Sequence, residues 1–172
     1  MSELCSGPPA IHSVLTRNTG FLLSRLGMVA TRRLGERLQE LALTTRMWGA
    51  LNVLAAEGAI TQHSLCKSIG IDPSSMVSTI DELEAQGLVE RRRHPRDRRA
   101  HALHVTPRGR ETLARGRGLA RAAQDELLAP LTAGEREQLH QLLLRLACAT
   151  GDFGIADPSG EPSSAPVPSA AR

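Results

Sequence analysis

The sequence predicts a mainly α-helical fold with one small β-wing, and three observations predict it. Apolar residues recur at intervals of three and four along most of the chain, in runs opened by Ser, Thr, Asp or Pro and closed by Gly. Between residues 88 and 105 the period changes to two, around a polar tip that contains a proline. The third observation is charge. Lys and Arg total 21 against 18 Asp and Glu, a net +3, yet residues 91–99 alone hold six Arg and one Asp, or +5, leaving the rest at −2.

At 172 residues and 41% hydrophobic, the chain can bury one proper core, or a small domain plus dimerisation arms. No apolar run approaches the roughly 20 residues that span a bilayer, so no membrane association is expected. The start, MSELCSGPP, lacks the regions of a signal peptide, so a cytoplasmic location is expected. Cys5, Cys66 and Cys148 are odd in number and far apart, which argues against a disulfide framework and a zinc site. No cofactor and no metal are expected.

Taken in order, residues 1–10 read as an unstructured lead. From Ile11 a long helix carries Leu22, Leu26, Val29 or Ala30, Leu34, Leu38 and Leu41 on one side, with Arg25, Arg32 and Arg37 on others. Thr44 or Thr45 caps a second helix bearing Met47, Leu51 and Leu54, closed near Gly58. Thr61 caps a short third helix with Leu65 and Ile69, closed at Gly70. Asp72 caps a fourth, Pro73 occupies its first turn, and Gly87 closes it. Within that fourth helix Met76, Ile80 and Leu83, with Val77 beside them, form the buried stripe. Ser74, Ser75, Ser78 and Thr79 fall largely away from it, a face of small hydroxylic side chains that can approach another surface closely. Helix, glycine turn, helix from Thr61 to Ala85 is a helix-turn-helix pattern.

Leu88, Val89, Glu90 and Arg91 then begin a ribbon. Beyond the tip, Arg99, His101, Leu103 and Val105 share one face, and Ala100, Ala102 and His104 the other. So local a basic patch is expected where a polyanion docks. A helix with a small polar face followed by an arginine-tipped ribbon is the layout of a winged helix-turn-helix, helix in the major groove and wing on the backbone or minor groove. Gln62 and His63, at the amino end of the third helix, are placed to meet a phosphate. After the wing, Thr106-Pro107 opens a helix through Leu113, Ala120, Ala123 and Leu127. Thr132 and Glu135 form a capping box before a last helix with Leu139, Leu142, Leu143 and Leu146. Apolar faces placed after a complete DNA-binding unit are expected to bury against the first helix and a second subunit. From Asp152 the Pro, Ser, Ala and Gly content predicts a disordered tail.

The run Asp97-Arg98-Arg99, then Leu103-His104-Val105-Thr106 and Gly109, resembles the wing signature of the MarR family of transcriptional regulators. Gly87-Leu88-Val89-Glu90-Arg91 is similar to that family's helix-to-wing junction, and the resemblance spans roughly residues 14 to 148. It implies a dimeric DNA-binding repressor or activator, commonly relieved by a small ligand or by oxidation. By position, Asp97 would orient the Arg99 guanidinium toward the minor groove, with Arg96 and Arg98 at phosphates. Where this chain has Thr79 the family commonly carries a basic residue, so an operator sequence is not expected to transfer.

These readings define three domains: a lead at 1–10, a MarR-like winged helix body at 11–149, and a tail at 150–172. Within the body, 11–42 and 107–149 are dimerisation helices and 44–106 the DNA-binding unit. The expected DNA-binding residues are Gln62, Ser74, Ser75, Ser78, Thr79, Arg91, Arg96, Asp97, Arg98 and Arg99. A small aromatic or amphipathic effector would meet Trp48 as a cleft wall, against the plainer reading of Trp48 packed between the first and second helices, and Arg25 or Arg46 as its cation, with His12 and Asn18 as further candidates. Cys66 is the redox candidate, three residues after His63, against the plainer reading of a packed thiol. His101 and His104 fall on opposite faces of a strand and are not read as a metal pair. The function expected is a sequence-specific homodimeric regulator, a repressor of a pseudo-palindromic double-stranded operator released by a small ligand. The alternatives are a redox-responsive regulator of the same fold and a winged-helix module binding an acidic protein. No paired carboxylates, phosphate-cradling loop or nucleophilic triad suggests an enzyme.

Overall fold

Helix ends are set where a side chain or a left-handed residue replaces the hydrogen bonds a helix cannot make for itself. In the computed structural model, which describes residues 11–93 and 101–150, these devices divide the described residues into seven α-helices and three strands. Helix α1, Ser13–Thr16, and helix α2, Thr19–Leu38, replace the single long helix expected from Ile11. The break has a local cause. The Asn18 side chain accepts the Phe21 amide at 2.9 Å and so starts a new helix, while His12 Nδ1 accepts the Val14 amide at 3.3 Å and starts the short one before it.

A 3-10 turn, Gln39–Leu41, ends α2. Thr44, not Thr45, then caps helix α3, Thr45–Glu57, through its hydroxyl oxygen. Strand β1, Ile60–Thr61, was not anticipated; two residues are too few to show a period, and pairing with a distant strand is what makes it one. Helix α4, Gln62–Ile69, closes at Gly70 with φ 72°, and helix α5, Pro73–Ala85, closes at Gly87 with φ 68°. Strands β2, Val89–Arg93, and β3, His101–Val105, form the antiparallel ribbon. The sheet order is β1-β3-β2, Val89 opposite Val105 and Arg93 opposite His101. Helix α6, Pro107–Leu127, and helix α7, Ala133–Thr150, are the last of the described elements. The Thr132–Glu135 capping box forms as expected, the Glu135 carboxylate accepting from both the Thr132 amide and its hydroxyl at 2.8 Å. Those bonds hold the Glu135 carboxyl below its usual pKa.

The core belongs to the winged helix and the root of the long helices. Leu38, Met47, Leu51, Leu54, Leu65, Met76, Ile80, Leu83 and Leu103 are at most 1% exposed. Burying side chains of this kind stabilises by roughly 1.5–3 kcal/mol each relative to exposure. The first and last of the described helices behave differently. No residue of α1 or α7 is buried, and Val14, Leu22, Leu23, Leu26, Met28, Leu142, Leu143 and Leu146 are all exposed.

Two glycines mark where helix α6 comes closest to its neighbours. The Trp48 indole lies over Gly116, where a Cβ would sit 2.3 Å from the ring. Trp48 thus packs on α6. At Gly109 a Cβ would meet the Leu88 carbonyl oxygen at 2.1 Å and a Val105 methyl at 2.8 Å. The first of those contacts is with backbone and cannot turn aside. Gly109→Ala is therefore expected to lower unfolding stability by about 2 kcal/mol through overpacking, read as a lower midpoint in denaturant. An unchanged midpoint would mean that the junction yields at no cost.

Candidate nucleic-acid interface

Helices α4 and α5 are placed by their caps. The Thr61 hydroxyl accepts the Ser64 amide at 3.2 Å, and the Asp72 carboxylate accepts the Ser75 amide at 2.9 Å and the Ser74 hydroxyl at 2.5 Å. The Ser74 hydroxyl, followed by the Ser75 amide, holds the Asp72 carboxyl far below its ordinary pKa. Gln62 opens α4, half-buried, with exposed His63 beside it.

The exposed face of α5 differs from the expected one at two neighbouring positions. Thr79 is 4% exposed, its hydroxyl donating to the Ser75 carbonyl at 2.8 Å, and it cannot present that hydroxyl to a partner. Val77, expected in the buried stripe, is 44% exposed. Burying Thr79 carries no unsatisfied polar atom because the preceding turn accepts its proton. Ser74 and Ser78 are exposed and Ser75 is half-buried.

Arg91, expected among the DNA contacts, is paired with two carboxylates of α5. Its guanidinium donates to Asp81 at 2.6 Å and to Glu84, and its amide donates to the Glu84 carboxylate at 3.3 Å. Burial by itself would lower the Arg91 pKa, but the bonds to Asp81 and the charge of Glu84 outweigh it and raise the pKa. The residue ties the first wing strand to the recognition helix and cancels two carboxylates on the face that would meet phosphates. Further out, Arg92 pairs with Glu90 at 2.5 Å and Arg93 is exposed. The expected contacts Arg96, Asp97, Arg98 and Arg99 lie outside the described residues.

The five effector candidates are spread over the start of α1, the start and body of α2, and α3. The His12 and Asn18 side chains serve as helix caps, Arg25 and Arg46 are exposed on α2 and α3, and Trp48 is half-buried over α6. None of them lines the groove of about 360 Å³ between Gln39–Ala42, Gln86 and Arg108–Arg115, or that of about 470 Å³ between α6 and α7. Cys66 is 7% exposed and packs in the core, the surroundings of a structural thiol. Among the described residues no cluster of His, Cys, Asp and Glu is arranged to hold a metal ion, and no helix is long and apolar enough to cross a membrane.

A helix-turn-helix with a basic two-stranded wing at its end defines a winged-helix DNA-binding protein. Residues 43–100 match the MarR family profile. The chain is 32% identical over 137 residues, 79% of its length and 82% of the relative's, to the "Putative transcriptional regulatory protein for hcr operon" of Thauera aromatica. Among solved structures it is similar to the transcriptional repressor CouR bound to a 23-mer DNA duplex. The TM-score there is 0.74 at 29% identity, covering 80% of this chain and 98% of that one. CouR from Rhodococcus jostii RHA1 bound to p-coumaroyl-CoA gives a TM-score of 0.67 at 28% identity, with 79% and 96% covered. A mutant MarR from E. coli complexed with operator DNA gives 0.68 at 27% identity, with 74% and 91% covered. The chain belongs to the MarR family and is a DNA-binding transcriptional regulator of the winged-helix type. That family and those neighbours are regulators, not enzymes.

The role of Arg91 is separable from that of a phosphate contact. Arg91→Ala is expected to weaken DNA binding on the order of tenfold by exposing two carboxylates to the backbone. Adding Asp81→Asn and Glu84→Gln to Arg91→Ala restores most of that loss. If Arg91 instead bound a phosphate, the added changes would restore little and the salt slope would fall by about one.

Proposed function

We propose that this chain is a homodimeric repressor that binds a pseudo-palindromic operator and is released by a small aromatic or amphipathic ligand. The observation that carries the DNA reading is the joining of a hydroxyl-lined recognition helix to an arginine-rich wing through Arg91. In this reading Ser74, Ser75 and Ser78 approach base edges, and Gln62, Arg96, Arg98 and Arg99 supply contacts to backbone and minor groove. Asp97 orients Arg99. Thr79 and Arg91 act from behind that surface, one in the core and one as a clamp.

Two uncovered apolar faces support the dimer. One is on α1 and α2, at Val14, Leu22, Leu23, Leu26 and Met28; the other is on α7, at Leu142, Leu143 and Leu146. Exposed apolar surface on this scale at both ends of one chain favours an isologous interface formed by residues 11–42 and 107–149. The DNA-binding unit, 44–106, is then carried at a fixed distance from its copy, about 34 Å for half-sites one helical turn apart. The ligand reading draws support from CouR, a neighbour with structures bound to DNA and to p-coumaroyl-CoA. A ligand that favours a different separation of the two recognition helices would release the operator, because both must dock at once.

Sequences enriched by the purified protein from random DNA, followed by affinity against scrambled DNA over a salt series, test this reading. Preference on the order of a thousandfold with a steep salt slope is expected. Arg99→Glu should abolish most of that preference while sedimentation still reports a dimer; unchanged affinity would remove Arg99 from the contact surface. Leu26→Glu is expected to give monomers whose winged helix remains folded by circular dichroism. A persistent dimer would place the interface elsewhere.

A further inference from the structure

Helix α5 lacks the side chains that most often read bases. Pro73–Ala85 contains no Arg, Lys, Asn or Gln, so it offers neither the bidentate donor for guanine nor the amide pair for adenine. The next residue, Gln86, has its amide donating to the Ala42 carbonyl at 3.1 Å. Asp81 and Glu84 are held by Arg91. Thr79 is buried, and the Ser74 hydroxyl is engaged by Asp72.

Beside the small hydroxyls of Ser74, Ser75 and Ser78, what the amino-terminal half of this face presents is the Val77 isopropyl group, which is 44% exposed. The helical neighbours of Val77 on the exposed side are Pro73, Ser74, Ser78 and Asp81, all exposed, and of these only Pro73 at the helix start is apolar. Val77 is therefore not an extension of the apolar faces on α1, α2 and α7. An isopropyl group makes no hydrogen bond, and the only apolar group on a major-groove base edge is the C5-methyl of thymine. A β-branched side chain in a helix is also held in one dominant rotamer, so its methyls are presented at a fixed place with little ordering cost.

We infer that Val77 is a specificity-determining residue that packs on the C5-methyl group of a thymine in each operator half-site; this rests on the operator-binding reading above. The contact gives the helix a sequence preference without any charged or amide side chain. It places the determinant on the edge of α5 nearest the Arg91 clamp, since Val77, Asp81 and Glu84 follow one another at helical spacing. Disturbing the clamp would shift that contact.

The test begins with duplexes of the sequence selected from random DNA. Half-site thymines are replaced in turn by deoxyuridine, which removes the methyl group and nothing else from the base edge. One symmetric pair of replacements is expected to weaken binding about fourfold per half-site, the worth of one buried methyl group. Val77→Ala, with an unchanged melting curve, should bind the thymine and deoxyuridine duplexes equally, and Val77→Ile should still distinguish them. The inference is overturned if no thymine is sensitive, or if Val77→Ala discriminates as well as the parent protein. If selection enriches no sequence at all, the operator-binding reading fails first and this inference falls with it.

Discussion

The Leu88 carbonyl is the point on which the reading surface depends. It accepts the Thr106 amide at 3.0 Å and the Thr106 hydroxyl at 3.3 Å, and Gly109 packs directly against it. The Thr106 hydroxyl also donates to the Gly87 carbonyl at 2.7 Å, while its oxygen accepts the Gly109 amide at 3.0 Å and caps α6. The end of the recognition helix, both wing strands and the start of the long helix α6 thus meet within a few residues. Any side chain at position 109 would force these elements apart. The angle at which the wing leaves the helix is set by backbone contact, which varies less than contact through long side chains.

On that frame the two parts of the surface have different chemistry. The wing carries six arginines in residues 91–99, whereas α5 carries no cation of its own and two acidic side chains at the wing edge. Left unpaired, Asp81 and Glu84 would oppose the phosphates that the wing attracts. Arg91 removes that conflict and at the same time fixes the first strand to the helix. The wing's usable charge is consequently smaller than a count of arginines indicates, because Arg91 and Arg92 are both paired with carboxylates.

Most of the fold was legible in the sequence because this chain marks its helix ends with strong local signals. Thr61, Asp72, Thr106 and Thr132 cap where their side-chain chemistry requires, and Gly70 and Gly87 take positive φ where the helices end. The break at Asn18 was missed because an apolar repeat continues across it while a single side chain decides where the helix starts. The exchange of Val77 and Thr79 shows the limit of periodicity. Both flank the buried stripe of Met76, Ile80 and Leu83, and which of them turns inward depends on how α3 and α4 pack on it. Thr79 is able to turn inward because Ser75 accepts its proton. The pairing of Arg91 escaped the sequence reading for a related reason. Its partners lie seven and ten residues away on another element, and a count of charges does not reveal a pair.

The elbow between the amino-terminal helices and the DNA-binding unit connects the two in a way that bears on control. After α2 and its 3-10 turn, Ala42 adopts φ 53°, and the Ala42 and Leu43 amides return to Gln39 and Leu38 at 2.9 and 3.1 Å. Helix α5 ends in the same pattern at Gly87, where a glycine takes the left-handed position without strain. Alanine there costs about 1 kcal/mol, so the surroundings must hold it. Part of that hold is Gln86, the last residue before Gly87, whose side chain reaches 3.1 Å to the Ala42 carbonyl. One hydrogen bond therefore spans from the end of the recognition helix to a strained residue at the root of the long helix α2. A change in the direction of α2 either breaks that bond or carries the end of α5 with it. Because α5 is also fixed to the wing through Arg91 and the Leu88 junction, the second course moves helix and wing as one body.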